Sequence, residues 1–245
     1  KALIWKAWKN FARGVLETCA VLHLSKDDIL STIAIEGEEH LKKALAKGKG
    51  VLALSAHLGA FTMIGPRIAA GGYPFSVIVK QPKDEHFARC LDDYRARLGM
   101  ETISAKPRKD AVRGILKSLR ENRVVVIIAD EFKSGDVTVD FMGQPSPAPR
   151  GPATLALRTG AATLAMFSTW RPDGSLCLLI EPEISPVRLE DLEKSVTATT
   201  ALFTRQLESA IRRYPEQWNW LGFPRTARVP RQEDQNAAVR TTETA

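Results

Sequence analysis

Cysteine is scarce in this chain: three residues among 245, Cys19, Cys90 and Cys177, odd in number and far apart. They form no CxxC pair and no Cys/His spacing of a zinc site, so neither a disulfide framework nor a structural zinc is supported. Such cysteine use fits a reducing compartment. Long apolar runs are missing too, none reaching the roughly 20 residues needed to span a bilayer. There is no GxSxG elbow, no P-loop, no GxGxxG and no HExxH, which removes the α/β-hydrolase serine, the common nucleotide sites and the zinc-protease helix. Acidic residues are in deficit, 28 against 35 Lys and Arg, leaving a net charge of +7. An excess of that size favours a polyanionic partner: nucleic acid, an anionic membrane surface or a phosphorylated substrate. No nucleic-acid module accompanies the charge, and no nucleic-acid partner is expected.

What is present suits one α/β domain. Hydrophobic residues make up 44% of the chain, enough for a substantial core. Residues 2–22 place Ile4, Trp8, Phe11, Val15 and Leu22 near helical spacing, with Lys6, Lys9 and Arg13 between them. A basic helix carrying Trp5 and Trp8 can lie in a membrane interface or pack on the core. The spacing over 27–47 predicts a second helix with a charged face. From Gly50 the pattern changes. VLALSA (51–56), FSVIVK (75–80) and VVVIIA (124–129) are continuous apolar runs, separated by helical spacing over 84–98 and 109–121. Continuous rather than alternating strands predict a mainly parallel sheet covered by helices on both faces. TLAMFSTW (163–170) and SLCLLIEPE (175–183), joined by RPDG, predict a hairpin. A long helix is expected over about 188–213, and residues 225–245 read as a disordered tail.

In open parallel sheets, ligands bind at the carboxyl ends of the strands. Here those ends carry His57 after the first run, Lys80 and Gln81 after the second, and Asp130 and Glu131 after the third. A base, a cation and two carboxylates thus converge on one sheet edge. Taken alone, His57 also reads as a buried, satisfied histidine. Its strand-end position, and Gly59 permitting close backbone approach, point to chemistry. Of Asp130 and Glu131, one reads as a loop-start cap.

The blocks AHLGAFTMIG, KQPKDEHFARCLDDYRARLGMETI, PRKDAVRGILKSLRENRVVVIIADE, VTVDFMGQPSPAPRGPATLALRTGA and YPEQWNW resemble, in this order, the lysophospholipid acyltransferase superfamily. The resemblance is to the lipid A biosynthesis (lauroyl/myristoyl) branch and the related phosphatidylinositol mannoside acyltransferases, and it covers roughly residues 10–222. It implies an acyltransferase domain over 1–224, with 1–24 as an interfacial helix. The implied activity moves a fatty acyl group from an acyl-carrier-protein or acyl-CoA thioester to a hydroxyl of a glycolipid or phospholipid. No cofactor is implied, the thioester being a substrate. The implied place is the cytoplasmic face of the inner membrane, peripheral or anchored by a segment preceding Lys1.

The family's HxxxxD/E histidine falls on His57, the implied general base. Lys80, Arg95, Arg108 and Arg150 fall in blocks where the family carries basic residues, and are candidates for holding acceptor or carrier phosphates; each also reads as a solvated surface charge. One position departs. Five residues after His57 stands Thr62, and a hydroxyl cannot stabilise an imidazolium as a carboxylate does. The replacement acid is expected from residues 130–131, Glu131 slightly ahead of Asp130. Without one, the chain reads as a catalytically silent homologue that binds lipid or carrier protein. A thioesterase, with water replacing the acceptor, is the third reading.

Overall fold

The computed structural model describes residues 2–132 and 135–220; the tail expected at 225–245 lies outside them. A seven-stranded sheet has the order β1-β9-β8-β2-β5-β3-β4. Its centre is built from the predicted apolar runs: β2 (Val51–Ser55), β5 (Val124–Ile128) and β3 (Phe75–Val79) lie side by side and parallel, in the register Val51 with Val124 and Phe75 with Val124. β4 (Met100–Ser104) adds a parallel edge beside β3. β8 (Ala162–Trp170) joins β2 in parallel, and β9 (Leu176–Glu183) folds back on β8 as the expected hairpin. β9 and its parallel partner β1 (Ile33–Glu36) therefore run against the other five strands.

Side-chain alternation sorts the strands between two cores. Val51, Ala53, Leu164 and Met166 point to the face covered by α2 (Lys26–Thr32), α3 (Glu38–Leu45), α4 (Ile64–Ala70) and α5 (Glu85–Leu98). Leu52, Leu54, Ala165 and Phe167 point to the other face, covered by α6 (Arg108–Arg120), α7 (Gly151–Thr159) and α8 (Leu192–Arg213). Burial on both sides is why these strands read as continuous apolar runs. A separate hairpin, β6 (Val137–Phe141) with β7 (Gln144–Ala148), packs against α8. α5 and α8 start at aspartate caps: Asp84 Oδ1 accepts from the Phe87 N–H, and Asp191 Oδ1 from the Lys194 N–H.

One expectation fails. The single helix read over 27–47 is two helices divided by β1. Buried Ile29, Ile33, Leu41 and Ala44 mimic a helical stripe, yet Ile33–Glu36 pairs with Leu176–Leu179. Gly37 then turns the chain at φ +77°, where an added Cβ would lie 2.0 Å from the Ile180 carbonyl oxygen. Only glycine takes that turn against a neighbouring strand.

The first helix, α1 (Ala2–Ala20), buries none of its residues. Its half-buried positions are Ala7, Asn10, Arg13, Gly14, Glu17 and Thr18, one face at helical spacing. That inward face is small and polar. Leu3, Ile4, Trp5, Trp8 and Leu16 are exposed on the outside. Glu17 accepts from the Trp170 indole N–H at 3.0 Å and from Arg13 Nε at 2.7 Å, while the Arg13 guanidinium lies over the Trp170 ring. No helix among the described residues is long and apolar enough to cross a membrane.

Candidate active site

β2 delivers its chain to the carboxyl edge of the sheet between β5 and β8, and His57 follows two residues after the strand ends. The loop is pinned at Gly59, which bridges to Ser168 of β8 and has φ +58°. An added Cβ there would sit 2.2 Å from the Ser168 carbonyl oxygen, so the close approach foreseen for this glycine is a steric requirement.

From β5, Asp130 reaches the same loop. Its Oδ1 lies 2.8 Å from His57 Nδ1, and its Oδ2 accepts from the His57 backbone N–H at 2.9 Å. The indole N–H of Trp218 donates to Oδ2 at 2.8 Å. The Asp130 side chain is wholly buried, whereas that of His57 is 24% exposed. Three N–H groups thus offset the cost of burying the carboxylate. An ionised carboxylate only accepts, so Nδ1 carries the imidazole proton and Nε2 is the basic nitrogen. The Phe61 ring meets the imidazole edge-on, with centroids 4.9 Å apart, and the Asn219 N–H holds the His57 carbonyl at 2.9 Å.

The acid facing His57 is therefore Asp130, which corrects the preference for Glu131. Consecutive residues leaving a strand point to opposite sides. The one that turns toward the β2 loop is Asp130, and exposed Glu131 lines a chamber beside it. Thr62 also has a different partner. Its hydroxyl lies 2.8 Å from that of Thr18 on α1, and Thr18 spends its own proton on the Gly14 carbonyl at 2.7 Å. Thr62 is then the donor, and the position five residues after His57 ties the site to α1.

Two chambers meet at His57, Phe61 and Thr62. The larger, about 850 Å³, runs between α4, α5 and strands β3 and β5, with Val77, Leu91, Met100 and Val126 in its wall. Tyr94 lines it too, and burial pushes its phenol up, so it stays neutral. The smaller, about 350 Å³, lies beneath α1, bounded by Phe11, Val15 and Trp218. Both volumes suit small-molecule or acyl-sized ligands. Of the four basic candidates, Lys80 and Arg95 line the larger chamber, Arg95 being held by Asp92 at 2.9 Å. Arg108 is exposed at the start of α6, and Arg150 is engaged by Glu193 at 2.6 Å before α7; neither lines a chamber. Gln81 donates to Asp92 at 3.1 Å. Sequence reasoning gave no role to Trp218 or Thr18. The YPEQWNW block was visible, but nothing in its spacing says which carboxylate its indole meets.

The model of the bacterial lipid A biosynthesis acyltransferases matches residues 1–223. The phosphatidylinositol mannoside acyltransferase of Mycolicibacterium smegmatis is 29% identical over 185 residues, 75% of this chain and 59% of that protein. That of Mycobacterium tuberculosis H37Rv is 30% identical over 189 residues, 76% of this chain and 58% of that protein. The chain thus spans under two thirds of these relatives' length. The lipid A biosynthesis palmitoleoyltransferase of Escherichia coli K12 is 22% identical over 223 residues, 89% of this chain and 70% of that protein. A crystal structure of the 1-acyl-sn-glycerophosphate acyltransferase PlsC from Thermotoga maritima superposes with a TM-score of 0.44 at 15% identity, over 84% of this chain and 87% of that one. The ordered motifs carry the resemblance through nearly the whole chain, and the family model spans the same range: the chain belongs to the bacterial lipid A biosynthesis acyltransferase family.

Proposed function

We propose that the protein is a membrane-associated O-acyltransferase that moves a fatty acyl chain from an acyl-carrier-protein or acyl-CoA thioester to a hydroxyl of a glycolipid or phospholipid. The observation that carries this reading is the His57–Asp130 pair, 2.8 Å apart, at the junction of two apolar chambers. His57 Nε2 takes the proton of the acceptor hydroxyl as that oxygen bonds to the thioester carbonyl carbon. Asp130 holds the imidazolium so formed. Collapse of the tetrahedral intermediate breaks the C–S bond, and the imidazolium returns the proton to the departing thiolate. The larger chamber takes the acyl chain, with Lys80 and Arg95 at its wall suited to phosphate on the donor. Asp130 supplies what Thr62 does not, so the substitution at 62 gives no ground for a silent protein.

The exposed apolar side of α1, with Trp5 at 72% exposure and Lys6 and Lys9 beside it, suits an anionic membrane surface. The proposed location is the cytoplasmic face of the inner membrane. The test is turnover of a labelled acyl thioester with lipid acceptors, comparing the wild type with His57→Ala and Asp130→Asn. Loss by about 10²- to 10⁴-fold is expected for His57→Ala; unchanged turnover overturns the mechanism. Acceptor-independent release of free fatty acid identifies a thioesterase instead, and lipid binding without turnover a silent homologue.

A further inference from the structure

The groups that fix Asp130 come from two distant parts of the chain. His57 supplies its backbone N–H and its ring. Trp218, 88 residues after Asp130, supplies an indole N–H at 2.8 Å. That indole is 6% exposed and is braced edge-on by Phe141 and Trp220, at centroid separations of 5.8 and 4.5 Å. The segment carrying it is sewn to the His57 loop along its length. Gly59 N–H donates to the Gln217 carbonyl at 2.8 Å, Asn219 N–H to the His57 carbonyl at 2.9 Å, and Trp218 bridges to Leu58. The buried Gln217 amide exchanges two hydrogen bonds with the backbone of Trp170 at the end of β8.

We propose that Trp218 is a positioning residue for the His57–Asp130 pair: its indole N–H locks the Asp130 carboxylate in the rotation that presents Oδ1 to His57 Nδ1. The proposal rests on the reading of this pair as base and acid, and concerns how the pair is held. Oδ1 faces the imidazole, while Oδ2 is anchored by two donors on different elements. Turning Oδ1 away breaks both anchors at once. An indole N–H donates, never accepts and does not titrate in this range, so it constrains the carboxylate at every working pH. Without it, Oδ2 keeps the bond from His57's own backbone, a donor that moves with the loop being positioned. The carboxylate is then free to turn, and the Oδ1–Nδ1 hydrogen bond that fixes the imidazole is made for less of the time. The ring is then no longer held as a single Nδ1–H tautomer, and Nε2 is the basic nitrogen in only part of the population. Lys80, Arg95 and Glu131, the charged side chains lining the chamber beside His57, are untouched by the change.

The test compares Trp218→Phe, which keeps an aromatic ring and deletes the donor, with Trp220→Phe. Trp220 donates to the Pro215 carbonyl and not to Asp130, and a phenyl ring in its place keeps an aromatic brace against the Trp218 indole. Heteronuclear NMR of the His57 ring nitrogens gives the tautomer and the titration midpoint without any substrate, so it judges this proposal even if no acyl transfer is found. In Trp218→Phe the Nδ1–H tautomer loses its dominance, and the ring nitrogen signals move toward those of a mixture of the two tautomers. Where turnover is measurable, kcat falls about 10- to 100-fold with KM for the thioester unchanged. Trp220→Phe leaves both readouts at wild-type values. A folded Trp218→Phe protein in which the Nδ1–H tautomer stays as dominant as in the wild type overturns the proposal, whatever its activity. If Trp218→Phe does not fold, the wild type decides: the Trp218 indole proton resonance must shift through the His57 titration, and one that stays fixed overturns the proposal.

Discussion

The two longest helices use their sequences in opposite ways. α8 has 22 residues and buries nine of them, from Ser195 to Ile211, against the sheet. Even its buried threonines are satisfied, Thr200 on the Val196 carbonyl, Thr204 on that of Thr200 and Thr199 on the backbone of Val187. α1 has 19 residues and buries none. It holds to the body by a polar face, through Glu17 on Trp170, Asn10 on the Glu216 carbonyl and Thr18 on Thr62, and turns its tryptophans outward. An amphipathic pattern thus states only that two faces differ. Burial against the sheet stabilises α8; in α1 the apolar face is presented, and the fold gains little from it.

Four changes separate these roles. Phe203→Ala in α8 removes a side chain that is 4% exposed and costs about 3–5 kcal/mol of stability, measured by urea unfolding. A smaller loss would mean that α8 is no more integral than α1. Trp5→Ala with Trp8→Ala leaves unfolding unchanged within about 0.5 kcal/mol, yet lowers affinity for anionic vesicles about tenfold or more; equal binding by wild type and variant breaks the assignment of the outward face. Glu17→Gln weakens the tie to Trp170 and Arg13 at about 1 kcal/mol. Faster amide exchange in α1, with α8 amides unchanged, is the expected signature.

The smallest effect is on α3, away from both helices, and serves as the background level. Lys42 first, then Tyr73, hold the Glu38 carboxyl below its usual range. A lowered folded value stabilises above the unfolded carboxyl range near pH ~4.3, and that stability is lost as pH falls through the folded value. With Glu38 about a third exposed, solvent screening leaves about 0.3 kcal/mol. The stability gap between wild type and Glu38→Gln should be present at pH 7 and vanish toward pH 3.

Much of the fold was legible because its central strands are buried on both faces. Val51–Ser55, Phe75–Val79 and Val124–Ile128 stand out as unbroken apolar runs. The edge strand Met100–Ser104 does not, with Glu101 partly solvated, and neither does Gln144–Ala148, whose prolines suit a short isolated hairpin. β1 was misread because its isoleucines continue the stripe of α2, and pairing with β9, over 140 residues away in sequence, leaves no local sign. In the site, His57, Asp130, Lys80 and Gln81 were visible as strand ends. The choice of Asp130 over Glu131 was not, because it depends on which side of β5 the β2 loop crosses.

The sequence by itself determined the sheet's central strands, the convergence of His57 with an acid at their carboxyl edge, and the family, since each is written in local apolar runs and ordered motifs. Tertiary structure alone decided that Asp130 is the carboxylate that faces His57, that Trp218 reaches it from the far end of the described chain, and that the apolar side of α1 faces outward. Those outcomes turn on side-chain direction and on contacts between segments up to 206 residues apart, as between Asn10 and Glu216. Such contacts exist only once the cores on both faces of the sheet have closed and fixed which loop meets which.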